Sequence, residues 1–398
     1  MNPRRITCLL GAGAVIEIGG PTTQQITDDV RDAWTSNNVP NCITNNLTGN
    51  FEQQFHLLET LSSFSQGTYN PATEILQPKC VFRNVEWREL KLACNILLGT
   101  IGRRINEYNC SWGTASQNDW FRKFWRKLAS NAKLDIITLN YDTCIEQCLS
   151  AFDDGFSERI CVEDLNSRYG YRFHPEKLQN SKKNKVMHLH GCINYGMGGL
   201  LGCNKYEFND SFYDLYKYNS YEEASRHWFG HSNPSTQAGE ELYTGAIITG
   251  LRKTEKILDN PYMSYHYEFQ YALRHNKSLL IIGYSNSDEY INAELMRMKQ
   301  YHGNKCRIVV ISYMPDNVRT NWNSDPHRRK WPEENTYYML SHLMGREVAR
   351  LLASNNIPEK DVIDSEDGCV KWYLCGFQTA IKRYKKDIIK FLTSISVF

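Results

Sequence analysis

The chain has 398 residues, long enough for one large domain with insertions or for two ordinary ones, and its 46 Lys and Arg against 44 Asp and Glu leave a formal charge of +2. That balance excludes a whole-chain electrostatic footprint for nucleic acid or for an anionic membrane surface. Thirteen cysteines are scattered without a single Cys-x-x-Cys pair, so the usual zinc and dithiol spacings are missing, no metal is expected, and a reducing cytoplasm is the expected compartment.

In chain order, Ile6 to Leu10 is a short apolar run bounded by Gly11-Ala12-Gly13-Ala14, which predicts a buried strand ending in a tight turn with a helix after it. The stretch Ile6 to Ala14 holds two glycines and lacks the length of a signal peptide or membrane span. Ile26, Val30 and Trp34 recur at helical spacing within Gln24 to Trp34, with Thr22 or Thr23 as the N-cap. From about 40 to 126 the helical periods of Phe51 to Leu61 and Trp87 to Ile101 predict a helical insertion. Strands are then predicted at Leu134 to Leu139, Val186 to His190, Ala246 to Ile248, Leu279 to Ile282 and Ile308 to Ile311. Between Asn194 and Glu240 lies a Gly-, Asn- and aromatic-rich stretch read as a loop-rich insertion, and helical text fills Tyr337 to Leu352 and Lys371 to Phe391. Short strands separated by partly helical segments predict an α/β, Rossmann-like parallel sheet over 1–320 with helical insertions, followed by a helical C-terminal segment over 321–398.

Four strand ends carry residue types that do chemistry. Gly11 to Gly13 lets a phosphate approach the backbone, although Ile16 stands where the dehydrogenase fingerprint has a third glycine. Thr138 to Asp142 puts an amide, Asn140, and a carboxylate, Asp142, at a strand end; Asp142 is either a ligand group or the cap of a helical segment running through Glu146. His188 and His190 share a strand face, and without a third ligand the pair reads as a working His190 beside a structural His188. Gly283 to Asp288 is a polar turn in which Asp288 either caps the helix from Glu289 to Met298 or meets a ligand.

Taken in order, these segments resemble the sirtuin superfamily, with its Gly-Ala-Gly turn, Thr-Gln-Asn-Ile-Asp segment, His-Gly turn and Gly-Thr-Ser turn, and more closely its bacterial antiphage-defence NADase branch. The resemblance implies that Gly11, Ala12 and Gly13 cradle the phosphates of NAD, that Thr138 also contacts NAD, and that Asn140 and Asp142 face the nicotinamide ribose as catalytic residues. It makes His190 the catalytic base, and Gly283, Ser285 and Asp288 the contacts on the ribose or adenine side. NAD is then a substrate hydrolysed to nicotinamide and ADP-ribose, with no zinc expected, since the chain continues Cys192-Ile193-Asn194-Tyr195 where deacylating sirtuins carry a module of two Cys-x-x-Cys pairs. Two alternatives stay open: an NAD-dependent protein deacylase, and a non-enzymatic subunit that binds NAD or ADP-ribose. The defence branch further implies a homo-oligomer working with a second protein, such as a HerA-type DNA-translocating ATPase, an Argonaute-like protein or a phage sensor. Direct nucleic-acid binding and membrane association are not expected.

Overall fold

A strand buried on both faces reads as a near-continuous apolar run, as Leu279 to Ile282 and Ile308 to Ile311 do. The computed structural model describes residues 4–65, 87–163, 168–197, 215–228, 245–251, 253–257, 260–314, 342–345 and 360–394. Strand β1 (Arg5–Leu10) is followed by helices α1 (Thr23–Ser36), α2 (Phe51–Ser65), α3 (Trp87–Ser111) and α4 (Asp119–Asn131) before β2 (Lys133–Thr138). Then come β3 (Phe152–Asp153), β4 (Phe156–Glu163), β5 (Arg168–Phe173), β6 (Asn184–His188), β7 (Tyr195–Met197) and β8 (Leu215–Lys217). Helix α5 (Tyr262–His275), β9 (Ser278–Ile282), α6 (Glu289–His302), β10 (Arg307–Ile311), β11 (Val362–Asp364), β12 (Val370–Tyr373) and α7 (Phe377–Thr393) complete the order.

Eight strands form one sheet in the order β11-β12-β10-β9-β1-β2-β6-β3, parallel throughout except for β11 at its edge. The chain runs outward from β1 to β2 and β6 on one side and to β9, β10 and β12 on the other, so β1 is a topological switch point, where ligand crevices form in such sheets. The register makes this concrete. Leu10 pairs with Thr138 and Ile282, Thr138 pairs with His188, and Ile282 pairs with Ile311, so five strands end in one row. Whatever follows each strand by one or two residues therefore arrives at the same edge.

Helices α4 and α7 pack on each other and reach β2, β9 and β10, with the Phe377 ring edge-on to Trp120, Phe121, Phe124 and Trp125. Helices α5 and α6 pack together, and α5 also meets β6. Capping fixes α1 where expected: Thr22 accepts from the Gln25 amide and Gln25 returns the bond, while Ile26, Val30 and Trp34 face inward. The Trp34 indole donates to the Ala93 carbonyl at 3.0 Å, tying α1 to α3. In the stretch expected to be helical, α2 and α3 pack on each other and on α1.

Several elements differ from the sequence reading. Ala246 to Ile248 is no strand; Ile247 makes an isolated bridge to Gly191, because this short apolar run has one neighbour to pair with. The expected helix through Glu146 is a single 3-10 turn, Glu146–Cys148. Strand β6 stops at His188, which places His190 in the turn beyond it, off the strand face the two histidines were expected to share. The segment expected to be helical after 321 also supplies β11 and β12 to the main sheet, since Val370, Trp372 and Tyr373 are buried in a strand that pairs with β10. The stretch read as loop-rich contributes β7 and β8 to a second, antiparallel sheet of order β4-β5-β8-β7, while residues 198–214 and 229–244 lie outside the described residues, as does most of Pro315 to Leu352. No described helix is long and apolar enough to cross a membrane.

Candidate functional site

At the carboxyl ends of β1, β2, β6 and β9 lies a cavity of about 490 Å³, within the range of small-molecule sites. Gly11, Ala12, Gly13, Asn140, Asp142, His190, Gly283, Ser285 and Asp288 all line it. Thr138 does not line it: its side chain is buried and its hydroxyl accepts from the Asn140 amide at 3.0 Å, so it shapes the turn that carries Asn140.

The floor is two glycine turns in direct backbone contact. The Gly13 amide donates to the Gly283 carbonyl at 2.9 Å and the Gly11 amide to Ile282 at 3.0 Å. A Cβ built on Gly11 would stand 2.6 Å from the Gly283 oxygen, one on Gly13 would stand 2.7 Å from the Gly283 Cα, and Gly283 itself has φ +60°. Glycine is required here by the approach of one turn to the other. The helix expected after the turn does not follow it directly: two 3-10 turns precede α1, and the Gly11 and Gly13 amides are engaged by the neighbouring turn. Three helix starts border the cavity: that of α1 through Pro21 and Thr23, that of α2 through Phe51 and Glu52, and that of α6 through Asp288.

Asn140 reaches back to this floor, its Nδ2 donating to the Gly11 carbonyl at 3.1 Å, which leaves the amide oxygen as its acceptor. Its own carbonyl lies 3.1 Å from His188 Nδ1, whose Nε2 lies 2.8 Å from Glu146 Oε1. Burial opposes charge on His188, but the Glu146 carboxylate overrides it and raises the pKa. Glu146, His188 and Cys192 have ligand atoms within 4.8 Å of one another, the one such group among the described residues. The Lys217 ammonium stands 4.0 Å from Glu146 and 2.6 Å from Asp154, so this carboxylate already has cationic neighbours. The cluster braces the Asn140 turn.

Asp142 is buried; its Oδ1 accepts from the Cys144 amide at 3.0 Å, a local turn instead of a helix cap, and Oδ2 has no partner among the described residues. Burial pushes its pKa up, against the neighbouring Tyr108 hydroxyl and the Cys144 amide. Helix α3 sets this turn: Asn109 accepts from the Thr143 amide at 2.9 Å, and Tyr108 lines the cavity beside Asp142.

His190 Nε2 stands 3.3 Å from Asp288 Oδ2. Asp288 is at once the N-cap of α6, accepting from the Ile291 amide at 3.2 Å. Burial alone would raise the Asp288 pKa, yet the pairing with His190, the Ile291 amide and the Lys253 charge bring it to about 2. Burial and then the Lys253 ammonium lower the His190 pKa, against the pull of Asp288, so its imidazole is neutral near pH 7. The backbone of His190 is held too: its carbonyl accepts from the Ile248 amide at 2.8 Å, and the Tyr141 hydroxyl donates to the Ile248 carbonyl at 3.2 Å.

Glu52, Lys253 and Tyr108 are cavity residues that the sequence reading did not single out. Glu52, in the first turn of α2, pairs through Oε1 with Lys253 Nζ at 2.8 Å, and Tyr108 closes a side wall. The apolar period around Phe51 and Trp87 announced helices, but nothing local to Glu52 or Lys253 signals a partner 201 residues away.

The profile of the SIR2-like domain matches residues 135–338. No curated protein matches. Solved structures similar to the chain include a Sir2 homologue in complex with ADP-ribose (12% identity, 88% of this chain and 94% of that one, TM-score 0.35). A Sir2 homologue–NAD complex is similar at 14% identity (88% and 91% covered, TM-score 0.36), and a mutant Sir2 homologue with 2′-O-acetyl ADP-ribose also at 14% (90% and 95% covered, TM-score 0.37).

Proposed function

We propose, from the premise that this chain belongs to the SIR2-like domain family, that it is an NAD glycohydrolase, releasing nicotinamide and ADP-ribose. The observation that carries the reading is the His190–Asp288 pair in a cavity it shares with Asn140 and with a floor of glycine turns. Cavity size fits a dinucleotide's reacting half, and the bare backbone of Gly11, Gly13 and Gly283 is a surface to which a pyrophosphate can come close.

Cleavage of the bond between nicotinamide and ribose passes through an oxocarbenium-like state, nicotinamide leaves as a neutral base, and water adds to the anomeric carbon while losing a proton. The Asp288 carboxylate keeps the proton of neutral His190 on Nε2, which leaves Nδ1 as the base for that water or for a ribose hydroxyl. As His190 takes the proton, Asp288 stabilises the imidazolium. The Asn140 amide oxygen holds the water, and Asp142, at the end of the same turn, accepts from the substrate with the oxygen that has no protein partner.

In the cell this activity is that of a toxic effector in antiphage defence, acting as an oligomer with a second protein that triggers it. The test is incubation of the purified chain with NAD, alone and with the product of the adjacent gene, following nicotinamide and ADP-ribose. His190→Ala and Asn140→Ala are expected to lower release by about 10²–10⁴-fold with the fold intact. Undiminished release from both folded variants, or none from the wild type in either condition, would sink the reading.

A further inference from the structure

Breaking the glycosidic bond leaves positive charge on the ribose, and a fixed anion beside it in a closed site is worth far more than the same anion in water. Three carboxylates line the cavity: Glu52, Asp142 and Asp288. Asp288 is committed to His190 and to the cap of α6. Asp142 is buried, in surroundings that disfavour its charge. Glu52 is different. It stands on α2, its side chain is 27% exposed, and its one partner among the described residues is Lys253, on Oε1, so Oε2 is left for a ligand.

We infer that Glu52 is a catalytic residue that accepts a hydrogen bond from the ribose of the scissile nucleoside and stabilises the cation formed there; the inference rests on the NAD glycohydrolase reading. The residue comes from the helical insertion instead of the sheet, and its position is set from two directions. Two helical turns beyond it, Glu59 makes a fully buried ion pair with Lys256 at 2.7 Å, on the same face of α2. Lys253 and Lys256 thus fasten one short segment to α2, and Lys256 also donates to the Thr249 carbonyl at 3.1 Å. The residue before Thr249, Ile248, is bonded to the His190 carbonyl. Base and anion are therefore joined through about eight residues of chain, which preorganises them relative to each other. Lys253 holds the carboxylate in one orientation, and its charge adds to burial in lowering the pKa of the nearby His190.

The test uses two probes on the full chain: ADP-ribose, and a pyrrolidinium analogue of it in which a ring cation mimics the oxocarbenium. Wild type is expected to prefer the cationic analogue, and Glu52→Gln to lose about tenfold or more of that preference while its affinity for ADP-ribose stays within about threefold. Nicotinamide release by Glu52→Gln should fall about a hundredfold in kcat with KM little changed. An unchanged preference together with an unchanged kcat in Glu52→Gln overturns the inference and leaves the glycohydrolase reading standing. A wild type that binds neither probe overturns both.

Discussion

His266 on α5 is 8% exposed, its ring lies edge-on to Tyr290, and neither ring nitrogen has a hydrogen-bond partner among the described residues. Burial, then the nearby His190, lowers its pKa from 6.5 to about 4. The unfolded chain takes a proton at this residue near pH 6.5 that the folded chain refuses until about pH 4, so stability falls as pH drops through that window. For one such group the loss between pH 8 and pH 5 is about 2 kcal/mol, rising to about 3 kcal/mol below pH 4. His266→Phe keeps the ring and removes both nitrogens. Urea unfolding at pH 8 and pH 5 should show the variant at least as stable as wild type at pH 8, and ahead by a further ~2 kcal/mol at pH 5. His190 is shifted in the same direction but is present in both proteins, so the difference isolates His266. Equal pH slopes for the two proteins would refute this account of the buried imidazole.

Gly283→Ala should be strongly destabilising, by about 2–5 kcal/mol, because the new Cβ at φ +60° would stand 2.2 Å from the backbone of Gly13 and Ala14. Gly303→Ala, at φ +51° with nothing within 4 Å, is the control for backbone strain alone and should cost about 1–3 kcal/mol; similar melting temperatures for the two would contradict the contact argument. Lys256→Met should cost about 3–5 kcal/mol by leaving Glu59 charged and buried, whereas the double variant with Glu59→Leu should recover most of it, as a thermal-melt double-mutant cycle can measure.

What was legible in the sequence is what local pattern controls. Apolar runs ending in Gly11, Asn140, Gly191 and Gly283 mark strands of a buried parallel sheet, and parallel pairing brings their ends to one edge. Asp288 as the cap of α6 and Thr22 as the cap of α1 follow from a few neighbouring residues. Long-range pairs leave no such trace: Asp288 with His190, Glu52 with Lys253 and Glu59 with Lys256 each join segments whose spacing only the fold decides. The same limit misread Ala246 to Ile248, whose apolarity reflects packing of an isolated bridge beside Gly191. It also hid that the Gly11 and Gly13 amides serve the neighbouring turn.

Two turns that touch backbone to backbone, as those of Gly13 and Gly283 do, have no side chain between them to trim or enlarge. The floor of the cavity is therefore a fixed casting, closed to adjustment by ordinary substitution. Its roof is built from side chains of α1, α2, α3 and the Lys253 segment, each replaceable without disturbing the sheet. Diversification of this fold toward new ligands or triggers has to be written into that roof, and a comparison of related chains should find invariance below and, above, drift around a retained Glu52–Lys253 pair.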